Sequence, residues 1–273
     1  MNREPENRHP VSGESGAGGN PRRDASSTGN GLILGMVAVS LVLKCVPWLR
    51  HVLLPFVYFT TFIHEGCHAV AAWLMGQQVR AIVIHPDTSG YMTHTVTGGV
   101  LANVIIGNAG YVGAALCGGA LIVLSAYEKL SKILMVWIGI LFFAAMVICM
   151  RDAFTLILSG MLASALLLTS WKGGRQANFL LLNFLAVQCA LNSLGDVITL
   201  LRLSLGAPRS AYSTGLSDAE ALAKITHLPA ILWSLLWIAL AVMIMVRALQ
   251  TSRHIRARQS ATCEKDGFAS NDL

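Results

Sequence analysis

Seven apolar runs, approximately residues 32–49, 52–75, 99–126, 133–150, 153–171, 177–205 and 228–246, dominate this 273-residue chain. About 20 mostly apolar residues cross the hydrocarbon of a bilayer as a helix. Runs of this length and number therefore predict an all-α polytopic membrane protein with about seven transmembrane helices. The composition agrees, since 54% hydrophobic against 12% charged residues is too apolar for a soluble domain. Of the 34 charged residues, 16 lie in residues 1–30 and 247–273. The expected division is a disordered polar tail over 1–30, a membrane-embedded domain over 31–247, and a basic then polar tail over 248–273. No apolar h-region lies near the N-terminus, so no cleavable signal peptide is expected.

The same distribution sets the partners. Charges gathered in the tails exclude a nucleic-acid binder with a continuous basic face, and the partner they predict is the lipid bilayer. Cys45, Cys67, Cys117, Cys149 and Cys189 fall inside apolar runs with no CxxC pair, which makes them small apolar fillers rather than a disulfide framework. Ten loop and tail lysines and arginines on the C-terminal side against seven on the other lean towards a cytoplasmic C-terminus.

Two stretches depart from the apolar pattern. In residues 77–97, alternating Val79, Ala81 and Val83 precede Pro86-Asp87-Thr88-Ser89-Gly90, which is turn chemistry, and then Tyr91 to Val96. This predicts a short β-hairpin after the second span. Over 206–227, Ser217-Asp218-Ala219-Glu220 has the pattern of a capping box opening a short helix. Within the third span, Gly110, Ala114 and Gly118 recur every four residues, the spacing that brings membrane helices close together. Asn108 beside them is given no catalytic role, and Arg151-Asp152 at a span boundary reads as an interfacial charge pair.

Chemistry concentrates at His64-Glu65-Gly66-Cys67-His68, an H-E-x-x-H inside the second span. Residues i and i+4 share a helical face, so His64 and His68 can hold one Zn2+ while Glu65 takes a proton from metal-bound water. A charge at mid-bilayer costs about 2.5–3.5 kcal/mol on insertion scales, and a metal offsets it. A catalytic zinc needs a third protein ligand. The sixth span offers Gln188, Asn192 and Asp196 at i, i+4 and i+8, a stripe that otherwise reads as interhelical packing or a partner for Lys44. Asp196 is the only acid besides Glu65 well inside a span. It lies about 9 residues, roughly 14 Å, from its helix end, against about 12 residues, roughly 18 Å, for His64. Asp196 is therefore the expected third ligand, with Asp218 in reserve because a loop can fold inward. His85, His94 and His227 are not expected to ligate.

These features resemble the site-2 protease group of intramembrane zinc metallopeptidases, the B-like branch of peptidase family M-fifty. The resemblance rests on Phe62 to Ala69 around the H-E-x-x-H, Gly76 and the following hairpin, and Ala109-Gly110-Tyr111-Val112-Gly113. It extends to Ser193-Leu194-Gly195-Asp196 and Ser217-Asp218-Ala219, over roughly residues 52–246. One departure is that the better-studied members carry their ligand aspartate in a Leu-Asp-Gly context, whereas Gly195 precedes and Val197 follows Asp196. The resemblance implies a zinc metalloendopeptidase acting on transmembrane protein substrates.

A transmembrane helix hides its carbonyls in hydrogen bonds, so a substrate must unwind locally. The hairpin is expected to capture the extended segment by strand addition, with the Val83 N–H on the receiving edge. The alternative is a noncatalytic protease-like protein that binds client transmembrane helices, against which the intact His64, Glu65 and His68 argue. A metal or proton transporter would need polar residues along several spans, whereas here they gather on the second and sixth.

Overall fold

The computed structural model describes residues 21–206 and 216–269. Its elements in chain order are α1 (Pro21–Cys45), α2 (Leu54–Leu74), β1 (Val79–Ile84), β2 (Gly90–His94), α3 (Val100–Leu124) and α4 (Ser131–Cys149). These are followed by α5 (Ala153–Lys172), α6 (Arg175–Ser204), α7 (Asp218–Thr226) and α8 (Ala230–Ala269). The disorder expected of residues 1–20 falls outside the described residues, and residues 21–30 belong to α1. The helix α8 likewise continues beyond residue 247 into the basic stretch.

Five helices among the described residues are long and apolar enough to cross a membrane: α3, α4 with its preceding turn, α5, α6 and α8. The other two runs read as spans differ for physical reasons. In α1 the apolar part, Gly31–Cys45, is short. In α2 the polar face of Thr60, Thr61, His64, Glu65 and His68 lowers the hydropathy of an otherwise adequate length.

Local chemistry sets the element ends. Gly76, at φ +72°, lets the chain leave α2 in a left-handed turn that other residues rarely adopt. Between α4 and α5, Arg151 and Asp152 do not form the expected charge pair with each other. The Arg151 guanidinium donates to the carbonyls of Ile148 at 2.7 Å and Met150 at 2.8 Å, at the C-terminus of α4. Asp152 accepts from the Thr155 N–H at 2.9 Å as N-cap of α5. Each charge sits at the helix end whose dipole it complements, which separates the two side chains. The capping box opens α7 as expected, with Ser217 and Glu220 each bonded to the other's backbone N–H.

The hairpin forms as read, antiparallel, with Val83 opposite Tyr91 and Ile82 opposite Met92. It lies against α2. The Tyr58 hydroxyl donates to the Pro86 carbonyl at 2.8 Å and the Thr61 hydroxyl to that of Thr88 at 2.9 Å. The main core surrounds α2, where Phe59 and Phe62 stack on Phe142 of α4 with ring centroids 5.0 and 4.0 Å apart. A second core gathers Val197, Leu200, Ala219, Leu222 and Trp237, and so docks the short α7 between α3, α6 and α8.

Candidate metal centre

On α2, the i, i+4 spacing brings the His64 and His68 imidazoles together, with their Nε2 atoms 3.1 Å apart. The third group is Asp218, the first residue of α7. Its Oδ2 lies 3.3 Å from the His64 Nε2 and 3.4 Å from the His68 Nε2. Burial works to raise the Asp218 carboxyl, but the two rings outweigh it and hold the group well below the usual carboxylate range.

Small residues on α3 create this meeting point. A Cβ at Gly107 would sit 2.8 Å from Leu222, and one at Gly110 would overlap both imidazoles. Gly107 and Gly110 share one face of α3, and Asp218 and Leu222 share one face of α7. Leu222 seated at Gly107 therefore delivers Asp218 to the imidazoles beside Gly110. The small-residue stripe does serve packing, since Gly118 rests against Cys189 of α6, but its first member also makes room for the site.

The donor set suits zinc. Bonds of about 2.0–2.1 Å in a tetrahedron put neighbouring ligand atoms about 3.3 Å apart, and the observed triangle has sides of 3.1, 3.3 and 3.4 Å. The His68 Nδ1–H donates to the Ile106 carbonyl at 2.6 Å. A carbonyl only accepts, so this bond keeps the proton on Nδ1 and leaves the Nε2 lone pair for a metal. Around the other ligand, the Tyr111 ring packs against His64 at 4.4 Å between centroids.

Asp196, the expected third ligand, is not in this cluster. The depth argument placed it well along α6, but depth does not decide which face a helix turns to the metal. Asp196 continues the face on which Asn192 accepts from the Lys44 ammonium at 2.9 Å; it lies within electrostatic reach of both Lys44 and His64, but its carboxylate is not among the ligand atoms that gather within 4.8 Å of one another. Gln188 donates to Ser40 at 2.7 Å, so the stripe is spent mainly on packing α6 against α1. Asn108 is committed too, donating to the Val104 carbonyl and accepting from Trp237, both at 2.8 Å. His94 contacts Gln77, and neither His85 nor His227 joins the cluster.

Glu65 is buried and lies within electrostatic reach of His64, His68 and Asp218, with the Met92 N–H directed at its carboxyl. A Cβ at Gly90 would come within 3.2 Å of its Oε1, so β2 lies directly over the Glu65 carboxyl. The Val83 N–H, expected on an open edge, is not on one. Val83 pairs with Tyr91 inside the hairpin, while the outer edge of β1 is taken by a bridge from Ile82 to Met150 and by the Ile84 N–H bonded to Thr155. Alternate residues of an antiparallel ladder turn their polar groups to opposite sides. Gly90 and Met92 therefore turn theirs away from β1, towards Glu65, and no further described strand pairs there.

The family model described as Peptidase M50B-like matches residues 32–248, most of the chain. The chain belongs to that family. No curated protein and no solved structure shows a significant match to it. Membership of the Peptidase M50B-like family, with five apolar helices, makes this an integral membrane protein of protease-like type. The matched region contains the whole cluster of His64, His68 and Asp218 together with Glu65.

Sequence reasoning missed the Ile106 carbonyl and the clearance at Gly110, and it quoted Tyr111 in the Ala109 to Gly113 stretch without giving it a role. Only the small-residue spacing hinted at the second.

Proposed function

We propose that this protein is a zinc-dependent intramembrane endopeptidase that hydrolyses peptide bonds of transmembrane proteins in or near the bilayer. The observation that carries the reading is the triangle of ligand atoms, 3.1–3.4 Å on a side, next to the buried Glu65. His64, His68 and Asp218 would hold the zinc, which when bound lowers the pKa of water and polarises a carbonyl. Glu65 takes a proton from the attacking water and returns it to the leaving nitrogen. The far edge of β2 receives the unwound substrate segment as an added strand, its backbone groups meeting those of Gly90 and the Met92 carbonyl, while the Met92 N–H stays on Glu65. Removing the extended segment from its helix exposes the scissile bond beside Glu65.

Residues 31–247 form the membrane-embedded domain in this reading, with α1 and α2 crossing alongside the five more apolar helices. The short α7, about 14 Å long at 1.5 Å per residue, does not cross but folds back to supply Asp218.

The test uses purified protein in detergent and in proteoliposomes. Wild type should carry one equivalent of zinc and cleave single-span reporter proteins. His64→Ala should lose the zinc. Glu65→Gln should keep it while losing cleavage by about 10²–10⁴-fold. Full activity in Glu65→Gln would end the mechanism.

A further inference from the structure

A peptidase needs a hydrogen-bond donor for the carbonyl oxygen as it turns anionic, and the side chains around the cluster are nearly all committed. His64, His68 and Asp218 form the triangle and Glu65 is the base. The Asn108 amide is spent on Val104, and that of Asn192 is held by Thr60 at 3.3 Å. Tyr111 differs. Its ring stacks on the buried Trp237 at 4.6 Å and meets His64 edge-on at 4.4 Å, so it is wedged between the core and the cluster. Trp237 is itself fixed by its bond to Asn108, one turn before Tyr111 on α3. The Tyr111 hydroxyl makes no hydrogen bond within the described residues, and it lies within electrostatic reach of Asp218, Asp196 and Glu65.

We propose that Tyr111 is a catalytic residue whose hydroxyl donates to the scissile carbonyl oxygen as negative charge develops on it. The inference rests on the peptidase reading above. A phenol keeps its proton through the neutral range, so it can serve as a donor without any proton changing hands. As water adds to the carbonyl carbon, the C–O π pair moves onto oxygen and the proton of the water passes to Glu65. The Tyr111 O–H shortens its bond to that oxygen and stays covalently intact. When the C–N bond breaks, the pair returns to the carbonyl and the nitrogen takes the proton from Glu65. A rigid donor aimed at the oxyanion is worth about 10²–10³ in kcat.

The ring and the hydroxyl separate cleanly by substitution. Tyr111→Phe keeps the packing on His64 and Trp237 and removes only the donor. Expected are one equivalent of zinc, KM within about threefold of wild type, and kcat down about 10²–10³-fold on a reporter that wild type cleaves. A phosphinic pseudopeptide with apolar side chains, which mimics the tetrahedral oxyanion, should bind Tyr111→Phe on the order of 10²-fold more weakly by calorimetry. Tyr111→Ala should also lose zinc affinity, because His64 then loses its packing.

Wild-type kcat or undiminished phosphinate binding in Tyr111→Phe, with Glu65→Gln inactive, overturns the proposal and leaves the peptidase intact. An active Glu65→Gln overturns the Glu65 mechanism and the role of Tyr111 built on it, and a wild type that neither cleaves nor binds the phosphinate overturns the peptidase reading altogether.

Discussion

Gly110→Ala tests whether the close approach of α3 makes the metal centre. The added Cβ would lie 2.5 Å from the Cε1 and Nε2 of His64 and would overlap the His68 Nε2. Ordinary contact begins at 3.4 Å, so either α3 retreats or the imidazoles swing by about 0.9 Å. His68 is tied by its Nδ1 to the Ile106 carbonyl of α3, one turn before Gly110, so it cannot swing away without breaking that bond. Zinc sites tolerate displacements of only about 0.2 Å in their ligand distances. Overpacking costs about 1–3 kcal/mol in stability. Disturbing the support of a ligand costs a further 10–100-fold in metal affinity, about 1.4–2.7 kcal/mol. Zinc affinity is read by competition with a chromophoric chelator in detergent, beside Gly66→Ala as control. Gly66 lies within the H-E-x-x-H but has nothing within 4 Å of its absent Cβ, so that variant should bind zinc as wild type does. A folded Gly110→Ala protein with wild-type zinc affinity would refute the reasoning.

Further outcomes follow from the same contacts. Asp218→Ala should lose bound zinc while Asp196→Ala retains it; metal analysis showing the reverse would restore Asp196 as the ligand. Asp152→Ala removes the N-cap of α5 and should cost about 1 kcal/mol, read as a lower unfolding midpoint in detergent; an unchanged midpoint would remove that cap from the account. Thr155→Val unties the Ile84 N–H from α5 at a cost of about 1–3 kcal/mol. Limited proteolysis should then cut the hairpin faster while zinc content holds, and equal cutting rates would show that α5 does not anchor it.

Much of the fold was legible because its determinants are local. Apolar runs long enough to span lipid mark the helices, the turn run from Pro86 to Gly90 marks the hairpin, and Ser217 with Glu220 marks the start of α7. The H-E-x-x-H is likewise local, since helical periodicity alone puts His64 and His68 on one face. The third member of the cluster was only half legible: Asp218 stood in reserve behind Asp196, because it lies 154 positions from His64 and reaches it only when α7 folds back onto α3. Hydrophobic burial and helix length fix how deep Asp196 lies, but they do not fix which way its face of α6 turns. That is decided by side chains interlocking between helices: Leu222 at Gly107, Asn192 with Lys44, and the imidazoles in the gap at Gly110. The open edge of the hairpin was hidden for the same reason, since alternation within a strand identifies its two sides and only the packing of Met150 and Thr155 against β1 decides which one is left for β2 to offer.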